Sequence, residues 1–351
     1  MEIVVGDELL SPNEQERADF LKEYFCELTA VSSEVTDGWS VSLTRPATSD
    51  CYVDPRLDEG LRWWSETYQP TDVPGIPFAF HQARGFRLSL NDTWTTYSWS
   101  KWLAGLPAGE PLPATVTLLH LDDHDDFMTP RIIHEGGAWH DAITSQVFDL
   151  RRPGTVESAA ISGAIGMGSI VAPLLHTLAE VHVRHLCATD YSKKRKGPHL
   201  IYPVTFKDNL LSPGAPRPAL RLEPAGAPSP AGHAHGHPYA VTDDLDQWLA
   251  DLPDGPVLIH VDMDYFNNRF DGDSDRVDNE PKYEQPLASV LARIDEVFDA
   301  LDRHGVAGRV ADMVVGISPG FFPAEFWGAS VSRIEERVGR LFVEGRWAVT
   351  E

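Results

Sequence analysis

Residues 118–127 read LLHLDDHDDF, and a similar stretch, LIHVDMDYF, follows at residues 258–266. In both, an apolar run typical of a buried β-strand ends in His-x-Asp and passes directly into further acidic residues. The carboxyl ends of parallel strands meet at one edge of an α/β sheet, which is where such sheets bind ligands. The two stretches therefore predict a shared acidic site at that edge.

The rest of the chain supports such a sheet, because short apolar runs alternate with helical patterns from about residue 77 onward. We expect strands at residues 77–80, 114–121, 181–186, 256–262 and 313–318. We expect helices near residues 13–29, 93–104, 157–179, 240–251, 284–304 and 324–341. This order predicts an α/β fold with three layers, α/β/α, around a mostly parallel sheet.

Two regions depart from the alternating pattern. Residues 1–75 are expected to form an N-terminal extension packed on a main domain at residues 76–351. Residues 193–238 are dense in Pro, Gly and His and show no periodicity, so we expect a long insertion loop.

The excess of acidic residues limits the classes of molecule that the protein is expected to bind. With 29 basic and 53 acidic residues the formal net charge is −24, which disfavours nucleic acids and anionic membranes and favours metal ions and cationic ligands. The chain has no run of eighteen apolar residues and no basic, apolar leader at its start, so we expect a cytoplasmic protein without a membrane partner. The three cysteines show no metal-binding spacing. The oligomeric state is not predicted.

The acidic stretches carry the chemistry. Side chains alternate faces along an extended chain, which places Asp122, His124 and Asp126 on one side of the first stretch, and Asp262 and Asp264 on one side of the second. Carboxylates this close stay ionised together only beside a multivalent cation. Oxygen-rich ligation with an imidazole favours Mn²⁺, with Fe²⁺ or Zn²⁺ as alternatives, and so many carboxylates favour a binuclear centre. The simpler interpretation of either stretch alone is a solvated loop or a helix cap.

These motifs also carry a resemblance to a known family. Asp-x-His-x-Asp at residues 122–126 with Asp-x-Asp at residues 262–264 resembles the metal signature of the arginase and deacetylase superfamily. With GISPGFFPAEFW at residues 316–327, the set is similar to the UPF0489 family, which includes peptide arginases that convert arginine residues of ribosomal peptide precursors to ornithine. The resemblance spans roughly residues 77–341 and implies an arginase-like fold.

The resemblance implies a role for each motif residue. Asp122 and Asp262 would bridge two Mn²⁺ ions. Asp126 would complete the shell of one ion, and His124 and Asp264 would complete the shell of the other.

Ureohydrolases generally add a histidine ligand from an upstream strand end, and the matching junction here, residues 88–103, contains no histidine. Asp92 could take its place as a ligand, or His81 could reach in from the preceding strand end. The alternative for Asp92 is a cap on the helix that begins near Thr93. The chain also departs from arginases after Asp264, where it reads Tyr-Phe-Asn-Asn.

Further site residues are expected around these ligands. Glu325, five residues after Gly320, is a candidate clamp for a guanidinium group, or alternatively a first-turn residue that complements a helix dipole. His134 and His140 are candidate proton shuttles, with a surface or supporting role as the alternative.

His120 and His260 lie on the same side as the ligands by strand alternation. We expect them to orient the carboxylates.

The leading hypothesis is a Mn²⁺-dependent ureohydrolase that hydrolyses the guanidinium group of arginine to ornithine and urea. The resemblance favours arginine within a ribosomal peptide precursor, and free arginine or another small guanidino substrate is the alternative. One alternative is a metal-dependent amidohydrolase that deacylates an amine. Another is a metal-binding protein without activity.

Overall fold

The structure is a computed structural model that describes residues 1–26, 28–45, 47–48, 52–107, 109–188, 197–230, 232, 235–270 and 284–343. Its helices are α1 (Glu14–Phe25), α2 (Leu57–Thr67), α3 (Trp94–Ala104), α4 (Pro153–Ser162), α5 (Val171–Thr177), α6 (Leu245–Leu249), α7 (Leu287–Arg303) and α8 (Trp327–Val343). Its strands are β1 (Glu2–Val5), β2 (Thr29–Val35), β3 (Gly38–Thr44), β4 (Phe80–Ala83), β5 (Phe86–Ser89), β6 (Val116–Leu121), β7 (Ile132–Glu135), β8 (Ala138–Asp141), β9 (Val147–Phe148), β10 (Val181–Leu186), β11 (His199–Lys207), β12 (Pro216–Pro224), β13 (His237–Thr242), β14 (Val257–Asp262) and β15 (Val310–Gly316).

A nine-stranded sheet forms the centre of the molecule, in the order β12-β11-β13-β10-β6-β14-β15-β5-β4. The six strands from β13 to β5 are mutually parallel, and antiparallel strands lie at both edges. Every residue of β6 and β14 is buried, as expected for strands covered on both faces. The structure thus confirms the predicted α/β class and the mostly parallel sheet.

Helices cover both faces of this sheet. Leu119 and Leu121 of β6 belong to one hydrophobic cluster, which also contains residues of α2, α6, α7 and α8. Val116 and Leu118 belong to a second cluster with residues of α1, α3, α4 and α5. The alternation of side chains along a strand explains this division, and it places the sheet between two helical layers.

The N-terminal residues pack on this framework. β1, β3 and β2 form a small antiparallel sheet beside α1. Phe25 and Val41 from this region share a hydrophobic cluster with Trp99 of α3 and Leu174 of α5. The helix α2 packs instead against α8.

The prediction of a long insertion loop at residues 193–238 is wrong for most of that range, because two strands form there. β11 and β12 form an antiparallel hairpin that extends the sheet, with β12 at its edge. Pro216, Pro218 and Pro224 are tolerated there because an edge strand leaves alternate backbone positions without a ladder partner. Residues 193–196, 231, 233 and 234 of the expected loop lie outside the described residues.

Three other expected elements differ from the structure. The helix predicted at residues 157–179 is divided into α4 and α5, because α4 ends at Gly163 in the left-handed conformation, with φ +85°. Residues 237–242, partly within the helix predicted at 240–251, form β13. The strand predicted at 77–80 begins only at Phe80, after a 3₁₀ helix at Val73–Phe78. None of the helices among the described residues is long and apolar enough to cross a membrane.

Candidate metal centre

The acidic stretches lie side by side at one edge of the sheet. β6 and β14 are parallel neighbours in which His120 pairs with His260, so both strands end at the same level. The next strand, β15, pairs its Gly316 with Asp262. Because the strands are parallel, their carboxyl ends bring together residues that are 140 positions apart in the chain.

Backbone groups after the strand ends orient the carboxylates. The N–H of His124 donates to Oδ1 of Asp122 at 2.6 Å, and the N–H of Asp264 donates to Oδ1 of Asp262 at 3.1 Å. The hydroxyl of Ser318 donates to Oδ2 of Asp262 at 2.7 Å. Ser318 has a left-handed backbone, with φ +53°. Such conformations are costly for residues other than glycine and concentrate at functional sites.

Potential ligand atoms fall into three overlapping sets, each with its members within 4.8 Å of one another. The sets are Asp122, His124 and Asp264; Asp92, Asp122 and Asp262; and His120, Asp122, Asp126 and His260. The structure thus brings together all six residues that the sequence proposed as metal ligands. These buried His and Asp side chains can hold a metal ion.

Unpartnered oxygen atoms point to the same chemistry. Oδ2 of Asp92, Oδ2 of Asp122 and Oδ2 of Asp126 are buried and have no hydrogen-bond donor within the described part of the chain. A buried carboxylate oxygen without a partner costs free energy unless a cation neutralises it. The donor set, carboxylate oxygens with an imidazole nitrogen beside them, fits Mn²⁺.

Burial and mutual repulsion disfavour the ionised form of the clustered carboxylates. Burial, and then the charges of Asp264 and Asp262, raise the pKa of Asp122 well above its ordinary value. Burial also raises the pKa of Asp126, to which Asp122 and Asp92 contribute.

Burial likewise raises the pKa of Asp262, with Asp264 and Asp92 adding to the effect. The pKa of His124 is raised instead, because the carboxylates of Asp264 and Asp122 outweigh the opposing effect of burial. The Nδ1 atom of His124 lies 2.9 Å from Oδ2 of Asp264.

Asp92 is linked to this centre by contacts with two buried histidines, His260 and His120. Its Oδ1 lies 2.8 Å from Nε2 of His260, and Nδ1 of His260 lies 2.7 Å from Nδ1 of His120. The described hydrogen bonds of the Asp92 carboxylate are to His260 and to the Thr95 hydroxyl, at 3.3 Å, and neither involves a backbone N–H of α3. The carboxylate lies over Gly316, where a Cβ atom would overlap its Oδ1.

His81, the alternative to Asp92, lies elsewhere. Its ring lies against the tilted ring of Tyr68, with the ring centres 4.3 Å apart, and the charge of Glu335 acts on it. Burial lowers the pKa of His81, against the effect of Glu335. The structure does not bring His81 to the carboxylates.

The two candidate proton shuttles are also separate from the cluster. His134 and His140 lie on β7 and β8 of a second small sheet. His134 packs against Trp139, and Nδ1 of His140 lies 3.4 Å from the carbonyl oxygen of Ser145. Neither residue belongs to a ligand set or to the lining of the cavity beside the cluster.

Glu325, the candidate clamp, is held by guanidinium groups of the chain itself. Its Oε1 accepts a hydrogen bond from Nη1 of Arg269 at 2.6 Å, and Nη1 of Arg56 lies 3.4 Å away. Glu325 does not line the cavity described below. Its Oε2 is buried without a hydrogen-bond partner among the described residues, so in this conformation Glu325 pairs with arginines of the chain and is closed off from the cavity.

A cavity of about 570 Å³ opens beside the cluster. His124, Asp126 and Asp262 line it, together with Asp125. Six residues from the first 75 positions also line it, namely Cys26, Leu28, Thr29, Arg45, Tyr52 and Val53. The N-terminal region therefore forms part of the wall of the candidate site.

Some residues of the site were not expected from the sequence. Ser318 lies within the GISP motif, yet its bond to Asp262 depends on two strands that are distant in the chain. His185 of β10 lies 3.0 Å from the carbonyl oxygen of Asp122 and 4.7 Å, ring to ring, from His120. The run VHVRHL resembled an ordinary strand, so only its place next to β6 reveals this role.

The sequence was compared with protein-family profiles and with curated proteins, and none of them matches it.

Proposed function

We propose that this protein is a Mn²⁺-dependent hydrolase of the ureohydrolase type, which converts arginine, most favourably within a peptide, to ornithine and urea. The observation that carries the proposal is the set of three buried, unpartnered carboxylate oxygens, on Asp92, Asp122 and Asp126, beside an open cavity. The order and spacing of the motifs, which resemble those of arginases, supply the choice of reaction.

The cluster offers ligands for two ions. Asp122 belongs to all three ligand sets, so it would be shared by the two ions, and Asp262 joins it in one of these sets. His124 and Asp264 would hold one ion together with Asp122, and Asp92 would help Asp122 and Asp262 to hold the other. The family resemblance adds Asp126 to the ligands of this second ion. When bound, the two ions supply the positive charge that ionises a water molecule near neutral pH.

The cavity lining suits a guanidinium group on an aliphatic stem. Asp125, Asp126 and Asp262 give it a negative side, which attracts a cation. Apolar residues make up much of the rest, and they can pack against the methylene groups of an arginine side chain. These are Leu28, Val53, Ile76, Pro77, Met128, Met167 and Phe321.

Arg45, the arginine of the lining, is held by chain carbonyls. Its Nη2 donates to the carbonyl oxygens of Ala160 and Ile161, at 3.0 and 2.7 Å. The guanidinium of Arg45 also lies over the ring of Phe78. These contacts engage the guanidinium of Arg45 with groups of the chain, and the lining holds three carboxylates, on Asp125, Asp126 and Asp262, beside Arg45 and His124.

The peptide form of the substrate follows from the family resemblance, and a second cavity beside the first offers space for further residues of a peptide. A second cavity of about 340 Å³ shares Cys26, Met128 and Gly168 with the first. The two cavities are therefore neighbours, and residues of α1 line the second one.

The proposal is tested by measuring urea after the Mn²⁺-loaded protein is incubated with an arginine-containing peptide and with free arginine. We expect urea and an ornithine-containing peptide, and none of either with Asp264→Asn. The matched control is Asp246→Asn, which changes an exposed carboxylate bonded to His304 and Arg303 and is expected to retain full activity. A protein that binds Mn²⁺ but releases urea from neither substrate would contradict the proposed reaction.

A further inference from the structure

The two candidate cation positions differ in the chemistry of their ligands. At one of them the imidazole of His124 joins the carboxylates of Asp122 and Asp264. At the other, the carboxylates of Asp92, Asp122 and Asp262 approach one another, and Asp126 lies close enough for its charge to affect theirs.

Two further imidazoles, those of His120 and His260, form a potential ligand set with Asp122 and Asp126, but each of their ring nitrogens already contacts another protein atom. His260 uses both ring nitrogens, Nε2 towards Asp92 and Nδ1 towards His120. His120 uses Nδ1 in that contact, and its Nε2 lies 3.2 Å from the carbonyl oxygen of His124. Both side chains are fully buried and stacked, with their ring centres 4.9 Å apart.

The two histidines hold Asp92 in position, and they do not take its place as ligands. With Oδ1 of Asp92 held by His260, its Oδ2 is left buried and without a donor among the described residues. Gly316 leaves room for the carboxylate, because a Cβ at that position would lie 3.0 Å from Cγ of Asp92 and overlap its Oδ1. One oxygen is therefore positioned by protein and the other is free for a cation.

We infer that the second position is an oxygen-only cation site, in which Asp92 takes the place of an imidazole ligand and His260 and His120 hold Asp92 in position. The inference rests on the proposed two-metal centre. An oxygen-only site binds hard ions such as Mg²⁺ and Mn²⁺, whereas an imidazole favours Zn²⁺ and other transition metals. The two sites of one centre would thus differ in metal preference.

The test begins with the unmodified protein loaded with Mn²⁺. Dialysis against a large excess of Mg²⁺ is expected to remove one of the two Mn²⁺ ions, measured by metal analysis. The electron paramagnetic resonance spectrum is then expected to change from that of a coupled Mn²⁺ pair to that of an isolated ion. Removal of neither ion, or of both ions equally, would overturn the inference.

Variants identify the ligand. Asp92→His restores an imidazole and is expected to make the second site retain Zn²⁺ against Mg²⁺, while the exposed control Asp246→His leaves the metal preference unchanged. Asp92→Asn is expected to bind one Mn²⁺. If Asp92→Asn kept both ions while His120→Gln lost one, the ligand would be His120 and the inference would be wrong.

These outcomes are separate from those for the proposed function. Selective replacement of one ion in a protein that releases no urea would support the oxygen-only site and contradict the ureohydrolase. Urea release by a centre whose two ions exchange equally would support the ureohydrolase and contradict the oxygen-only site.

Discussion

The Nε2 atom of His260 lies 2.8 Å from Oδ1 of Asp92, although the two residues are 168 positions apart in the chain. The contact joins the end of β5 to the interior of β14 across β15. It gives a supporting role to a histidine that no solvent reaches.

His260→Ala is expected to weaken the binding of one Mn²⁺ roughly 10–100-fold, because the Asp92 carboxylate loses the group that orients it. Isothermal titration calorimetry measures this change. The control is His182→Ala, since His182 pairs with the exposed Glu180 outside the ligand sets. Equal affinities in the His260→Ala variant and the unmodified protein would show that the contact does not support the metal.

Gly316→Ala is expected to cost about 1–3 kcal/mol of stability and one bound ion, because the new Cβ overlaps the Asp92 carboxylate. Thermal unfolding and metal analysis report the two effects. Gly339→Ala is the matched control, since a Cβ there meets no atom within 4 Å. Retention of both ions by Gly316→Ala would place the Asp92 carboxylate outside the centre.

The stability of the metal-free protein is expected to fall as the pH rises above about 4, the ordinary pKa of an aspartate in an unfolded chain. Burial, followed by neighbouring carboxylates, raises the pKa values of Asp122, Asp126 and Asp262 above that of an unfolded aspartate, which is about 3.9. The folded state therefore holds more protons than the unfolded state above about pH 4, and that stability is lost as the folded groups ionise.

Mn²⁺ is expected to reverse this trend, because it binds the ionised carboxylates, so its stabilising effect grows over the same pH range. Urea unfolding at several pH values, with chelator or with Mn²⁺, measures both curves. The Asp126→Asn variant should show a shallower loss without metal. A metal-free protein that becomes more stable toward pH 8 would argue against the raised pKa values.

Glu325→Gln is expected to lower stability by about 2 kcal/mol, because it breaks the ion pair with Arg269, in which both side chains are largely buried. The KM for an arginine peptide should not change, since Glu325 does not line the cavity. The control is Glu336→Gln, whose exposed pair with Arg333 is expected to contribute less than about 1 kcal/mol. A large rise in KM at unchanged stability would instead restore Glu325 as the substrate clamp.

The sequence predicts the central strands well because the two signals that mark them, an apolar run and the acidic residues that end it, are neighbours in the chain. Buried apolar runs ending in acidic residues mark β6 and β14, and the parallel arrangement then requires Asp122 and Asp262 to meet. The general rule for strand ends was therefore sufficient to bring the proposed ligands together.

The remaining differences come from interactions that no local pattern records. The sequence predicts a loop where β11 and β12 form a hairpin, because prolines are typical of loops. Prolines are tolerated in β12 because it is the edge strand of the sheet. The pairing of Glu325 with Arg269 joins residues 56 positions apart. The contribution of Tyr52 and Val53 to the cavity likewise depends on how the N-terminal region packs.

The most direct test of the two-metal centre is the number of Mn²⁺ ions bound per chain, measured by equilibrium dialysis and metal analysis of the unmodified protein and of Asp122→Asn. Asp122 belongs to every ligand set, so the account predicts two ions per chain in the unmodified protein and the loss of both in the variant. A protein that binds no Mn²⁺, or an Asp122→Asn variant that binds as many ions as the unmodified chain, would contradict it.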